Sequence, residues 1–289
     1  MDIASLLSLV RPITVPSGDA ALLVTSDWHI GSVLAPWPEA VPVDGMTIRQ
    51  NKVQAWVDAR WDAFFSEARE FTKGRRRILI LNGEACEGRH HLQVELVTSD
   101  LTLQRRAALY RLAQVSEEND TFYVLRGSTA HSGPSGENDE AVAEALDCSR
   151  EEITAAYSRY ILKLDVNGVY LHFAHHIGTT QSPVSEATAL VTHLAKAAIV
   201  AGRWGQRLPD IMGRAHRHQY CAVHLPGQRQ GQFIFTTPAW VAKGEHGYRL
   251  DPTSPPQIGG VVILIDKDGH WHPHIPRFWA VLGPEVERA

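Results

Sequence analysis

Five short apolar runs, each ending in ionisable or hydrogen-bonding residues, constrain this chain more than any other feature. Ala20 to Val24 passes through Thr25-Ser26 into Asp27, Ile78 to Leu81 ends at Asn82-Gly83-Glu84, and Thr121 to Leu125 ends at Arg126-Gly127-Ser128. Val169 to Ala174 ends at His175-His176, and the weaker Ile211-Met212 runs into Gly213-Arg214-Ala215-His216. Runs this short and this apolar read as strands covered on both faces. Between them lie helical patterns over Asn51 to Phe71, Val97 to Val115, Asp139 to Leu146 with a continuation from Glu151, and Ser185 to Ala201. Strand alternating with helix over the first two thirds predicts a layered α/β sheet of βαβ type whose strands deliver their loops to one edge. Cys221 to Ile275 reads as short strands, with turns at Pro226-Gly227, Gln228 to Gly231 and Asp268-Gly269. Without an internal repeat or a long low-complexity linker, residues 1–289 read as one domain.

Composition narrows the classes further. A hydrophobic content of 44% is ample for a buried core, so disorder is not expected. Lys plus Arg total 28 against 32 for Asp plus Glu, and the formal charge of −4 gives no long-range pull on a polyanion. Met1 to Val15 contains a short apolar patch, Leu6 to Val10, but Asp2 stands where a secretory leader has basic residues, and no run approaches the ~20 apolar residues that span a bilayer. Cys86, Cys148 and Cys221 are odd in number and far apart, which fits neither a disulfide framework nor a zinc ribbon. The expected location is the cytoplasm, with no membrane partner; nothing in the sequence indicates an oligomeric state.

Histidine is the outlier, with 15 copies. Asp27-Trp28-His29 places two ligand types at i and i+2 just past a strand, and extended geometry there would aim both the same way. His216-Arg217-His218 repeats the spacing after the fifth run, and Glu84 and His175 close the second and fourth. Carboxylate and imidazole without thiolate suit manganese, iron, zinc, nickel or magnesium. Each signal alone is weak, because isolated H-x-H pairs arise by chance in so histidine-rich a chain. The ordered set is specific, since four strand ends of one layered sheet should meet.

On those residues the chain resembles the calcineurin-like metallophosphoesterase superfamily, whose ordered signature is D-x-H, G-D-x-x-[DE], G-N-H-[DE], a lone His, and G-H-x-H. Asp27-Trp28-His29 matches the first motif, Gly83-Glu84-Ala85-Cys86-Glu87 resembles the second, His175 fits the lone His, and Gly213 to His218 resembles the last with two residues inserted. The resemblance covers about residues 20 to 220, and the wording around His90-His91, Arg126 to His131 and His175 to Gly178 looks like the branch often carried by bacteriophages and prophages. It implies a layered sandwich of two mixed β-sheets flanked by helices, and two divalent ions, Mn2+ foremost. By position, Asp27, His29 and His218 would bind one ion, His175 and His216 the other, and Glu84 stands where a bridging aspartate sits. The implied activity is hydrolysis of phosphoesters by metal-activated water, a phosphodiester in nucleic acid or a nucleotide being preferred. Two departures bear on the second ion: Glu84 is one methylene longer than aspartate, and Ser128 falls where the family has an asparagine ligand, with Thr129 in place of the adjacent histidine.

Other readings stand beside these. His131 is the candidate general acid or a loop histidine bonded locally, and Arg126 is a phosphate fork or a structural salt bridge. His176 orients its neighbour or lines the cleft, as do His90 and His91. His270, His272 and His274 read as a solvated strand face, Arg217 as structural, and Lys73 to Arg77 as a solvated helix end. Ser32 to Thr47, with Trp37, is a substrate-selecting flap or a surface excursion. Competing functions are a phosphomonoesterase for a small metabolite or phosphoprotein, and a metal-stabilised binding protein without turnover.

Overall fold

Two mixed β-sheets stack face to face and carry helices on both outer faces. The computed structural model describes residues 12–43, 45–90, 94–178, 185–227, 230–274 and 279–280. The first sheet orders β14 (Trp271–His274), β13 (Val261–Ile265), β2 (Ala20–Thr25), β5 (Arg76–Leu81) and β6 (Thr121–Val124). Within it β2, β5 and β6 run parallel, and β13 and β14 are antiparallel additions. The second orders β1 (Ile13–Val15), β7 (Leu162–Val166), β8 (Val169–Phe173), β9 (Ile211–Arg214), β11 (Gln232–Thr236) and β10 (Cys221–Leu225). Leu22, Val24, Ile78 and Ile80 meet Leu164, Leu171, Phe173 and Phe235 between the sheets. Alternate residues of the same strands, Leu23, Leu79 and Leu81, face the helices instead, which is why the runs are apolar throughout rather than alternating.

The helices follow from local chemistry. α1 (Lys52–Thr72) starts at Asn51, whose side chain accepts from the N–H groups of Val53 and Gln54 while the Gln54 side chain accepts from the Asn51 N–H. Its buried residues Val57, Trp61, Phe64, Phe65 and Ala68 recur at helical spacing and pack on the first sheet with α2 (Leu101–Ala113) and α4 (Glu137–Ala145), which follows the single turn α3 (Thr129–Ser132). α5 (Glu186–Trp204) covers the second sheet through Leu190 and Leu194. α6 (Glu245–Leu250) is short, and β12 (Gln257–Ile258) pairs antiparallel with β15 (Trp279–Ala280) as a separate ribbon. No helix among the described residues is long and apolar enough to cross a membrane.

Several expectations need correction. No helix continues from Glu151; the chain turns there and enters β7, whose Asn167-Gly168 turn leads back along β8. Lys73 is the exposed C-cap of α1, but Arg76 and Arg77 lie on β5, and the arginines of the run are engaged: Arg75 by Asp19, Arg76 by the Pro16 carbonyl, Arg77 by Glu117 and Asp120. The stretch from Ser32 contains a hairpin, β3 (Ala40–Val43) with β4 (Met46–Arg49), and Trp37 is fully buried in the helix-side core. His274 is half-buried with its ring 3.8 Å from that of Phe71, so the late strand is not wholly a solvated face. The Leu6 to Val10 patch, His91 and part of the Gln228 to Gly231 turn lie outside the described residues.

Candidate metal centre

Beyond the ends of β2, β5, β8 and β9 the backbone leaves extended geometry. Asp27, His29, Glu84, His216 and His218 all adopt left-handed φ values of 51°, 49°, 63°, 73° and 57°. This corrects the extended i, i+2 arrangement expected for both histidine pairs. For residues with a Cβ this region costs about 1–2 kcal/mol each and persists only where the surroundings impose it. Here they do. The N–H groups of Trp28 and His29 both donate to the Glu84 carbonyl, at 2.9 and 3.1 Å, and that of Asp27 to the Gly83 carbonyl at 3.0 Å. Trp28, between the two candidate ligands, is buried edge-on against Trp61 at 5.1 Å and donates from Nε1 to Thr25 Oγ1 at 3.0 Å. Gly83 has no alternative at its position, since a Cβ there would lie 2.5 Å from His175 Nδ1.

These turns bring the six expected ligands together in two groups that share Glu84: Asp27, His29, Glu84 and His218, and Glu84, His175 and His216. Glu84 Oε2 lies 3.2 Å from His29 Nε2, and Oε1 lies 3.2 Å from His175 Nε2. Asp27 Oδ1 is 3.2 Å from His218 Nε2 and 4.0 Å from both His29 Nε2 and His175 Nε2. The His216 N–H donates to Asp27 Oδ2 at 3.3 Å, joining the two sheets at this edge.

The donor set fits divalent ions. Asp27 Oδ1 and His175 Nε2 are buried without an aligned hydrogen-bond partner, although opposite charges lie within 4 Å of each. Each belongs to a group of imidazole and carboxylate atoms close enough together to share one ion. The far nitrogens are tied in the manner of metal-binding histidines: His29 Nδ1 is 2.8 Å from Glu87 Oε2, and His175 Nδ1 donates to the Asn82 carbonyl at 2.6 Å. Each ring therefore offers Nε2 inward.

Electrostatics agree. Burial disfavours a charged Asp27, yet His218 and His175 outweigh it and hold the carboxyl below its ordinary range. Burial opposes ionisation of Glu84 too, and His175 and His29 bring it well below the usual value. Burial works against a charged His29, but Glu87 and Glu84 raise it well above the ordinary value. His175 rises to about 9 because Glu84 and Asp27 overcome its burial. The site is a concentrated set of charges, buried at Asp27, His29, Glu84 and His175 and half-buried at His216 and His218.

Around it stand residues with more varied parts. Glu87, fifth residue of the second motif but absent from the expected ligand set, touches His29 and lies 3.1 Å from His90 Nε2. His131 donates from Nδ1 to the Glu87 carbonyl at 2.7 Å, its ring lies 4.3 Å from that of His29, and burial followed by His29 pushes it down to about 4. Asp139, which sequence reasoning missed, is fully buried and accepts from Gly127 N at 2.8 Å, Ala85 N at 3.1 Å and the Ser132 hydroxyl. It ties the loop after β5 to the loop after β6. Arg126 donates to Ser158 Oγ at 2.8 Å, pairs with Glu140 at 3.4 Å and covers the Tyr160 ring, which is the salt-bridge role. Arg217 donates to the Glu186 carbonyl. His176 is exposed, its ring 5.1 Å from His175 and 5.4 Å from His216.

No protein-family model matches the chain, and no curated protein matches it. Among solved structures, a Thermotoga maritima protein determined by solution NMR aligns over 89% of this chain and 99% of its own, at 12% identity and a TM-score of 0.31. A conserved uncharacterized protein from Streptococcus pneumoniae, described as a predicted phosphoesterase, aligns over 92% of this chain and 99% of its own, at 8% identity and a TM-score of 0.34. At these values the chemistry is carried by the arrangement of side chains, not by the likeness.

Proposed function

We propose that the chain is a metal-dependent phosphoesterase of the calcineurin-like metallophosphoesterase superfamily, akin to its phage and prophage branch, with a phosphodiester in nucleic acid or a nucleotide as preferred substrate. The supporting observation is the pair of imidazole and carboxylate groups sharing Glu84, close-set yet incompletely satisfied by one another. Asp27, His29, Glu84 and His218 would hold one divalent ion, and Glu84, His175 and His216 a second. Mn2+ is the foremost candidate, with Fe, Zn, Ni and Mg sharing its taste for these donors. Bound ions supply Lewis acidity to the phosphoryl oxygens and activate the attacking water.

The protein's own share is preorganisation. With Nδ1 of His29 and His175 tied to Glu87 and the Asn82 carbonyl, each ring would turn Nε2 inward to an ion that displaces the proton the carboxylates otherwise favour there, and the left-handed turns hold the carboxylates against their repulsion. His131, anchored through Nδ1, is the candidate general acid at the leaving oxygen; that role requires Nε2 to take up a proton in the substrate complex, because burial and His29 hold the free ring down to about 4. Arg126 serves this reading as a brace for the Gly127-Ser128 loop. The free cysteines accord with a cytoplasmic setting.

The test is hydrolysis of bis(p-nitrophenyl) phosphate with Mn2+, expected in the native chain and lost in His218→Ala; equal turnover by the variant would remove His218 from the centre. Parallel assay of p-nitrophenyl phosphate separates the diester reading from a monoesterase acting on a small metabolite or phosphoprotein. One observation favours a binding protein without turnover: Ser128, at the altered third motif, bonds Glu84. Full metal occupancy with no hydrolysis across a broad phosphoester panel would establish that alternative.

A further inference from the structure

Ser128 occupies the N-cap position of α3, with extended φ and ψ of −72° and 155°, yet its side chain makes no cap hydrogen bond. Serine at such a position ordinarily satisfies a free N–H of the first turn. Here the hydroxyl instead donates to Glu84 Oε1 at 2.5 Å, and the Ser128 N–H donates to the same oxygen at 3.0 Å. Glu84 Oε2, the oxygen beside His29, has no comparable pair of donors from this loop. The clamp is itself held rigidly. Asp139 binds the N–H of Gly127 on one side and that of Ala85 on the other, and Gly127 permits the approach because a Cβ there would lie 2.3 Å from Glu84 Cγ.

We infer that Ser128 is a positioning residue, which fixes the Glu84 oxygen facing His175 and so sets the affinity of the His175 and His216 half of the centre for its ion. The inference rests on the metal-centre reading above. The two halves depend on Ser128 unequally. The Asp27 half draws on Asp27, His29, His218 and Glu84, whereas the His175 half draws on three residues, one of which is the clamped Glu84. A glutamate side chain has three torsions to restrain, and loss of the restraint on Oε1 falls on the half that has fewest other donors. Groups that orient a metal ligand typically change affinity by about 10–100-fold when removed.

The experiment is titration of the metal-free full chain with Mn2+, followed by calorimetry and by the electron paramagnetic resonance of free Mn2+. Native protein is expected to bind in two steps. Ser128→Ala should weaken the second step by about 10–100-fold and leave the first nearly unchanged, while Ser128→Thr, which keeps a hydroxyl, should restore the second. A purely structural cap would instead lower the melting temperature of the metal-free chain and leave both steps alone. Two undisturbed steps in Ser128→Ala, or equal losses in both, would overturn the inference while sparing the metal centre. Failure of the native chain to retain any divalent ion would overturn both.

Discussion

The interior of β2 and the few residues beyond its end obey opposite rules. From Ala20 to Val24 every side chain is buried and apolar, and the strand is paired on both sides. Three residues past Val24, Asp27 is just as buried but ionisable, left-handed in its backbone and short of hydrogen-bond partners at Oδ1. The same contrast recurs along β5 into Glu84, and in weaker form beyond β9, where His216 and His218 are left-handed but half-buried. The strand bodies supply stability, and the strand ends use part of it to hold charges and torsions that the chain would not adopt on its own.

That contrast can be broken from either side. The largest effect is expected at a strand end: Asp27→Asn should cut Mn2+-dependent diester hydrolysis by about 10³-fold or more, the equivalent of several kcal/mol of lost transition-state stabilisation. The melting temperature of the metal-free variant should also fall, because the folded state favours the ionised carboxylate and its loss leaves His175 and His218 without that counter-charge; an unchanged or raised value would show that the ligand cluster adds no net stability without an ion. In a strand body the balance should invert. Phe235→Ala, which empties a fully buried site between the sheets, should cost about 3–5 kcal/mol in denaturant unfolding, while any folded fraction keeps its metal stoichiometry.

Metal removal is the next largest lever. With ion at 100 times its dissociation constant, binding adds about 2.7 kcal/mol, so chelation by EDTA should lower the melting temperature of native protein but not of a His175→Ala, His218→Ala double variant. The smallest effect concerns acid. His172 on β8, on the face opposite the inter-sheet core, is held down to about 3 by burial and then by Arg214, against an ordinary 6.5. The folded state thus prefers the neutral ring, and its contribution is fully present above pH 6.5 and lost as pH falls from 6.5 towards 3. His172→Gln should flatten the unfolding midpoint across that window, and an unchanged pH slope would remove His172 from the account.

Much of this was legible in the residues. The strand bodies declared themselves because both faces are covered, and the ligands because each sits within a few residues of a strand end. Glu87 was visible as the last residue of its motif, but its contact with His29 is tertiary. β7 was missed although Leu162-Lys163-Leu164-Asp165-Val166 alternates and Asn167-Gly168 is a hairpin signal; the helical reading from Glu151 obscured it. The left-handed turns had only a weak local sign, in that aspartate and histidine visit this region more readily than most residues, and at Asp27, His29 and Glu84 they are accompanied by bonds between loops that lie far apart in sequence. Asp139 was hidden because its partners are tertiary: an acid in the first turn of α4 reads as a dipole partner until the fold shows the N–H groups of Glu84, Ala85 and Gly127 and the Ser132 hydroxyl donating to it.

Trp28 joins this centre to the helical layer. Its ring is trapped against Trp61 of α1 while its backbone lies between Asp27 and His29, so the helical layer has a mechanical stake in how those two side chains are aimed. Sequence drift at Trp61 is therefore not free to follow stability alone. A substitution that the helix tolerates but that lets the indole rock would blur the aim of Asp27 and His29 at once, so a change made in the helical layer would be felt at the strand ends.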